Sequence, residues 1–516
     1  MNFEFPRYGM KNRIVLWLCI IILPPIGIVL LWMRRNSRLW TRLAGTLAAI
    51  VFGIVHLVLF WNLRIELDGG TMRPILSFKN ADRHNEEIER LRQVEHSIDA
   101  SRIQALRPAA VQMAPEEVFP KRKTQSPQEV FNNYWTEYRG PGRTGIYAEM
   151  EIMADWPSGK LPRLWRRPIG GGYASVVVAE GTIFTIEQRR QKEVVTAYDL
   201  DSGREKWIHG WEAEFQEIMG GNGPRATPVW HDGRIYALGA AGELRCLDAR
   251  SGKRIWSRNI LLHNQAENLQ WGMAASPLIV DDKVIVLPGG SGGKSIVAYN
   301  RLTGDPIWKA FDDKQSYISP QLVTLVGRRQ IMIVSQMRAM GVAVDDGTLI
   351  WEFPWIYNHA RAAQPIVTAD NRFFISAGYG YGAALIEIFS EVDVFKTRII
   401  WTSNRMKNKF ASSVLYEGYI YGLDEAILAC IDAVTGELKW KGGRYGYGQL
   451  LLASGHLIIT SENGEVALVK ADPDKWEEVA RFPAIEGKTW NVPAIADGRL
   501  IVRNTTEMAC FRIAKP

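Results

Sequence analysis

Only four of the 516 residues are cysteine, and no two are adjacent or spaced as Cys-x-x-Cys. That excludes the ligand spacing of a cysteine-built metal site and of a haem attachment. Cys246, Cys430 and Cys510 fall in separate predicted strands with apolar neighbours, and Cys19 follows Leu-Trp-Leu, where the bulk of Trp17 argues against lipoprotein processing. Beyond residue 42 the chain also lacks a charge excess. Of the net charge of +7, six units arise in residues 1–42, where Arg7, Lys11, Arg13, Arg34, Arg35, Arg38 and Arg42 stand against Glu4 alone. The rest is nearly neutral, so the basicity concerns membrane topology and implies no DNA or RNA partner. With 47% hydrophobic and 23% charged residues, the chain is globular over most of its length and long enough for two to four domains.

What the N-terminus does contain is two uncharged apolar runs, 14–33 and 43–61, each able to cross a bilayer core as a helix of roughly 20 residues. The first is too long for a signal-peptide core and is followed by no small-residue cleavage site. The spacing predicts a transmembrane hairpin over residues 1–62, its first helix kinked at Pro24 and Pro25. Four arginines in the loop 34–42 favour a cytoplasmic loop and two external chain ends, against the pull of Arg7, Lys11 and Arg13 beside the first span. Residues 63–134 read as a polar stalk. Ile88, Leu91, Val94, Ile98, Ile103 and Leu106 recur at helical spacing between Asn85 and Leu106, and a Pro- and Lys-rich extended segment follows to Pro127.

From Trp135 to Pro516 the chain repeats itself. "AYDLDSGREKW" (197–207), "CLDARSGKRIW" (246–256), "AYNRLTGDPIW" (298–308) and "CIDAVTGELKW" (430–440) share a small residue, Asp or Asn two on, Gly four further and Trp four further; "AVDDGTLIW" (343–351) is a shortened copy. This is a hairpin frame: the Asp side chain caps the turn, Gly supplies positive φ, and Trp lands on the next strand, where it can stack between sheets. A second repeat, strand–turn–strand, centres on a position often held by Pro: 176, 228, 277, 320, 365, 413, 450 and 493. Eight copies at a mean step of about 45 residues predict an all-β, eight-bladed propeller. "EMACFRI" (507–513) lacks a following strand, and "LPRLWRRPI" (161–169) carries Trp165 without a preceding hairpin, so the last blade is expected to be completed by the N-terminal strand.

The Ala-x-Asp-x-x-x-Gly-x-x-x-Trp frame resembles the tryptophan-docking motif of eight-bladed propellers in pyrroloquinoline-quinone (PQQ) dehydrogenases and in the propeller lipoprotein of the outer-membrane β-barrel assembly machinery. "WTEYRGPGRTGIY" (135–147) is similar to the opening segment of bacterial PQQ-like repeat proteins. The resemblance implies the fold and leaves function to the site. For a quinoprotein it implies PQQ with calcium, a carboxylate base and flat walls. The adjacent Cys-Cys wall, the long roofing insertions and a haem motif are missing from this sequence.

Ahead of the innermost strands, Arg225, Lys314, Arg361, Lys409, Arg444 and Lys488 each lie three to six residues before the Pro position. Trp271, Trp490, Tyr445 and Tyr447 stand beside them, with Asp313, Asp424 and Glu425 as nearby acids. Cations with aromatic walls suit an anionic or polyhydroxylated ligand, whereas scattered loop charges paired with acids would be structural only. In "KGGRYGYGQ" (441–449), Arg444, Tyr445 and Gln449 are expected to touch that ligand. The expected protein is a binding or scaffolding module of the bacterial envelope, held in the inner membrane with its propeller in the periplasm. Its partners are the membrane, the small molecule or envelope proteins, and no cofactor is firmly implied. The alternative is a membrane-bound PQQ-dependent alcohol or sugar dehydrogenase with Asp424 or Asp313 as base.

Overall fold

The computed structural model describes residues 28–29, 31–32, 38–61, 64–67, 74–77, 81–105, 134–356, 358–392 and 394–515. The chain forms two compact units, one N-terminal to His84 and one from His84 onward, Ile218–Gly220 excepted. In the first, Leu39–Trp61 is one continuous helix, and its stretch Leu39–Val58 is long and apolar enough to cross a membrane. The run 14–33 lies outside the described residues except for four helical positions. Of these, Leu31 packs on Ala49, and the Trp32 indole donates to Thr46 Oγ1 at 2.9 Å. Gly45 makes room for that packing, since a Cβ there would lie 2.5 Å from Leu31 Cδ2. A short antiparallel pair, Arg64–Leu67 with Pro74–Ser77, occupies a stretch that the sequence reading assigned to spacer. Residues 106–133, which include the whole Pro- and Lys-rich segment, are not among those described.

In the second unit, eight antiparallel sheets follow one another along the chain: blades 1 (177–212), 2 (229–259), 3 (278–310), 4 (321–354), 5 (366–403), 6 (414–444), 7 (449–483) and 8 (494–512). The first strand of each blade is innermost, and from blade 1 to blade 7 these strands touch in succession around the ring. Blade 8 takes its outer strand from Arg163–Pro168, which pairs with Glu507–Arg512 and sets Trp165 opposite Cys510. The ring therefore closes as the unfinished last hairpin requires.

The repeat frame explains how one blade grips the next. Asp199, Asp248 and Asp432 accept turn amides at 2.8–2.9 Å, and the following glycines sit at φ near +70°. Each such glycine lies flat on the tryptophan of the preceding blade. A Cβ on Gly252 would fall 2.5 Å from the Trp207 ring, and one on Gly304 2.8 Å from Trp256. The indole N–H then bonds across the seam, Trp207 to Ala249 O and Trp256 to Arg301 O, both at 3.0 Å. Stacking and the hydrogen bond both require glycine at that turn. Blade 5 replaces the Asp-Gly turn with a long hairpin, so Trp351 finds Phe373 at 5.0 Å and Gln330 Oε1 at 2.6 Å instead.

Candidate functional site

All eight inner strands run the same way, so their N-terminal ends gather at one mouth of the central channel. One residue before the Pro position stand Ser175, Thr227, Ser276, Ser319, Gln364, Ser412 and Gln449, all buried, with Val492 in the eighth blade. They lace neighbouring inner strands together. Ser276 N–H donates to Ser319 Oγ (2.9 Å), Ser319 N–H to Gln364 Oε1 (2.8 Å) and Gln364 N–H to Ser412 Oγ (3.0 Å). Gln449 serves this belt, its amide donating to Phe410 O at 3.3 Å and Trp490 O at 3.0 Å.

Below the belt the opening segment crosses the channel. Arg139 and Arg143 are 1% exposed, and their guanidiniums donate to inner-strand carbonyls: Arg143 to Ser276, Pro277 and Pro320, Arg139 to Ser413 and Leu450. Val178 and Trp230 donate their amides to Trp135 O and Thr136 O, and Leu452 donates to Gly145 O. Residues 135–147 thus bond to blades 1, 2, 3, 4, 6 and 7 and form a plug. Burial lowers both arginine pKa values, and Glu137, 3.0 Å from Arg143 Nε, counters it for Arg143.

Above the belt lies a collar. The position three before Pro is Tyr173, Arg225, Ala274, Tyr317, Ala362, Phe410, Tyr447 and Trp490 in blades 1 to 8. Trp490 lies 5.4 Å from Tyr173 and 4.8 Å from Phe410, while Phe410 meets Tyr447 edge-on at 5.8 Å. Cations rest on these faces: Lys488 Nζ 4.3 Å from Trp490, Lys409 Nζ 4.3 Å from Tyr447 and 4.4 Å from Tyr379, and Arg225 4.8 Å from Phe215. Burial draws the Arg225 pKa down, with Tyr173 and Glu217 opposing. Opposite them Trp271 meets Tyr317 at 5.6 Å. At blade 5 an open cleft of about 390 Å³ is lined by Ile356, Asn358, His359, Tyr379, Gly380 and Tyr381.

Of the residues singled out by sequence, the structure brings Arg225, Lys409, Lys488, Trp490 and Tyr447 together at this mouth. Lys314 is exposed beside it. Arg361 is buried, with Nη2 donating to Trp355 O at 2.9 Å. Arg444 is exposed at the end of the outer strand of blade 6, opposite Ile427. Tyr445 turns the other way, its hydroxyl 2.6 Å from Glu478 Oε2 and its ring under Arg481 at 4.7 Å. Glu425 accepts the Gly380 amide at 3.0 Å. Asp313 holds Arg338 at 2.7 Å and Ser335 at 2.9 Å. Burial opposes ionisation of Asp424, but Lys407 at 2.8 Å and Lys441 at 2.6 Å hold its carboxyl below the usual range. Both acids are occupied as counter-ions. Sequence reasoning missed Tyr173, Phe215, Tyr317, His359, Tyr379 and Phe410, although the fixed register three before Pro would have found half of them.

The ring and its docking tryptophans define an eight-bladed β-propeller, and the known proteins similar to it fall into two groups. A family profile described as "Outer membrane protein assembly factor BamB" matches residues 191–442. The chain is 22% identical over 260 residues to BamB of Moranella endobia, covering 47% of this chain and 64% of that protein. It is 28% identical over 126 residues to the 1-butanol dehydrogenase (cytochrome c) of Thauera butanivorans, covering 23% of this chain and 17% of that enzyme. Among solved structures, the quinohemoprotein alcohol dehydrogenase of Comamonas testosteroni superposes with a TM-score of 0.55 at 12% identity, over 74% of this chain and 81% of that one, a likeness of fold alone.

Proposed function

We propose that this chain is an envelope binding module whose propeller offers the collar to an anionic or polyhydroxylated ligand and leaves its outer faces to envelope proteins. The carrying observation is the collar itself: half-buried aromatic rings with ammonium and guanidinium groups on their faces, above a channel whose other end is plugged. Aromatic faces orient such cations while leaving them able to meet an anion. Residues 1–62 anchor the module as a two-helix hairpin in the inner membrane, 63–134 form its stalk and 135–516 its periplasmic propeller. The contact of Leu31 with Ala49 supports the hairpin. In the detergent-solubilised full chain, glucuronate, inorganic phosphate and PQQ with calcium are titrated against tryptophan fluorescence. Saturable binding that is lost in Lys488→Ala/Trp490→Ala supports the reading; no binding, or binding indifferent to that double change, overturns it. For topology, a reporter active only outside the cytoplasm, fused after Pro516, should be active.

The similarity to alcohol dehydrogenases favours a second reading, a PQQ-dependent dehydrogenase. The collar fits a flat polycarboxylate. The rest of the constellation fits poorly, since among the described residues no three His, Cys, Asp or Glu side chains converge on a metal position and both candidate bases are neutralised. Dye-linked oxidation of an alcohol by the PQQ- and calcium-loaded protein, abolished in Asp424→Asn, would establish this reading in place of the first.

A further inference from the structure

We propose that the collar is one extended groove for an acidic oligosaccharide, read as consecutive sugar units along an arc from blade 5 to blade 2. This deepens the binding reading above and rests on it. Three cations stand among the rings along that arc. His359 stacks on Tyr379 at 5.1 Å, and Lys409 lies between Tyr379 and Tyr447. Phe410 links Tyr447 to Trp490, and Trp490 meets Tyr173. Lys488 lies within 6 Å of both Trp490 and Tyr173, and Arg225 lies on Tyr173 at 5.6 Å and on Phe215. Each group is within about one sugar width of the next.

The seated cations do not complete the circle. In blades 3 and 4 the register position is Ala274 and Tyr317, and among the described residues no cation lies over the Trp271–Tyr317 pair. Blades 3 and 4 offer the Trp271–Tyr317 rings without a cation seated on them, so the part of the collar that pairs rings with cations is an arc, which suits an elongated ligand better than a compact one on the axis. The arc also has a built end. Tyr379 is held at φ +54°, a strained conformation for a bulky residue, between Gly378 and Gly380, and a Cβ on Gly378 would lie 2.7 Å from Lys409 Cα. That strain places the phenol in the wall of the blade 5 cleft, where Asn358 and His359 add polar groups and the volume of about 390 Å³ admits a terminal sugar.

The chemistry follows from rings and cations standing side by side. The C–H face of a pyranose packs on an aromatic ring, while a carboxylate on the same sugar meets the cation seated beside that ring. A repeating acidic sugar matches a repeating ring-and-cation pattern, and a neutral glycan or a bare anion satisfies half of it. The test is isothermal titration of the full chain in detergent with a tetramer of α-1,4-linked galacturonic acid, its monomer and maltotetraose. The acidic tetramer should bind at least about tenfold tighter than either. Tyr379→Ala at one end and Lys488→Ala near the middle should each weaken it about fivefold or more with an unchanged melting temperature. A monomer as tight as the tetramer, an equally tight maltotetraose, or sensitivity at only one of the two positions overturns the extended groove. If phosphate or PQQ binds through Lys488 and Trp490 while the tetramer does not, the groove fails and the binding module stands; if nothing binds at the mouth, both fail.

Discussion

Glu193 sits at the start of the third strand of blade 1 with no exposed surface, one carboxylate oxygen accepting the Ala240 amide at 2.8 Å. Burial is the larger influence and lifts its pKa from 4.5 to about 7, despite that amide and the nearby Arg225 charge. The unfolded chain gives up this proton near pH 4.5, and the folded chain keeps it to about pH 7. Stability therefore falls as pH rises through that window, by about 3 kcal/mol in all, and is level above it. Glu193→Gln should flatten the pH dependence of the melting temperature between those limits and raise the midpoint at pH 8; a wild-type midpoint already level between pH 4.5 and 7 would refute the assignment. The docking residues give a plainer expectation. Trp256→Ala removes a ring 9% exposed and should destabilise by about 3 to 5 kcal/mol. Gly252→Ala forces a Cβ into the Trp207 ring at φ +69° and should cost about 2 kcal/mol or more in a urea melt.

At the scale of elements, two segments outside the repeats fasten the ring. The helix Ala81–Ala105 buries Ile88 and lies on the seam where blade 8 meets blade 1. His84 bonds to Ile169 O at 2.9 Å, Arg92 pairs with Glu205 at 3.1 Å, and Glu95 accepts the Glu205 amide at 3.1 Å. Glu95→Ala should lower stability by about 1 to 2 kcal/mol and expose this helix first in hydrogen exchange. Arg143→Ala strips donors from carbonyls in blades 3 and 4 and should cost about 3 kcal/mol or more, with Arg143→Lys recovering little because an ammonium lacks the fork. The docking frame was legible in the sequence because its logic is local: Asp caps its own turn, and Gly and Trp follow at fixed spacing. The plug was visible only as a family-like string, since Arg139 and Arg143 bond to backbone carbonyls and backbone leaves no mark in a sequence. The collar was half legible. Cations were sought three to six residues before Pro, but strand alternation sends only fixed registers inward. Arg225 at three before Pro reaches the mouth, whereas Arg444 at six stays on the outer strand and Tyr445 at five turns toward Glu478. In "KGGRYGYGQ" it is Tyr447 that joins the collar, and Gln449 braces the belt beneath.

For the whole molecule, the fold is a circle whose fastening joins distant parts of the chain. Arg163–Pro168 pairs with Glu507–Arg512, Arg166 bridges to Glu507, and Arg139 waits for Ser413 and Leu450. A chain cut after Pro483 should keep blades 2 to 5 but lose protease protection over residues 134–170, because the strand at 163–168 then has no partner; equal protection in the truncated and full chains would contradict the closure. The same arrangement sets a schedule for biogenesis. Synthesis runs from the N-terminus, so Arg139 and the closing strand emerge first and must stay unsatisfied until sequence more than 300 residues later is made. If the first helices are inserted as proposed, that interval is spent tethered at the membrane surface. Nascent edges would then be held apart from those of other copies, and the anchor would act as a folding aid before it serves as an address.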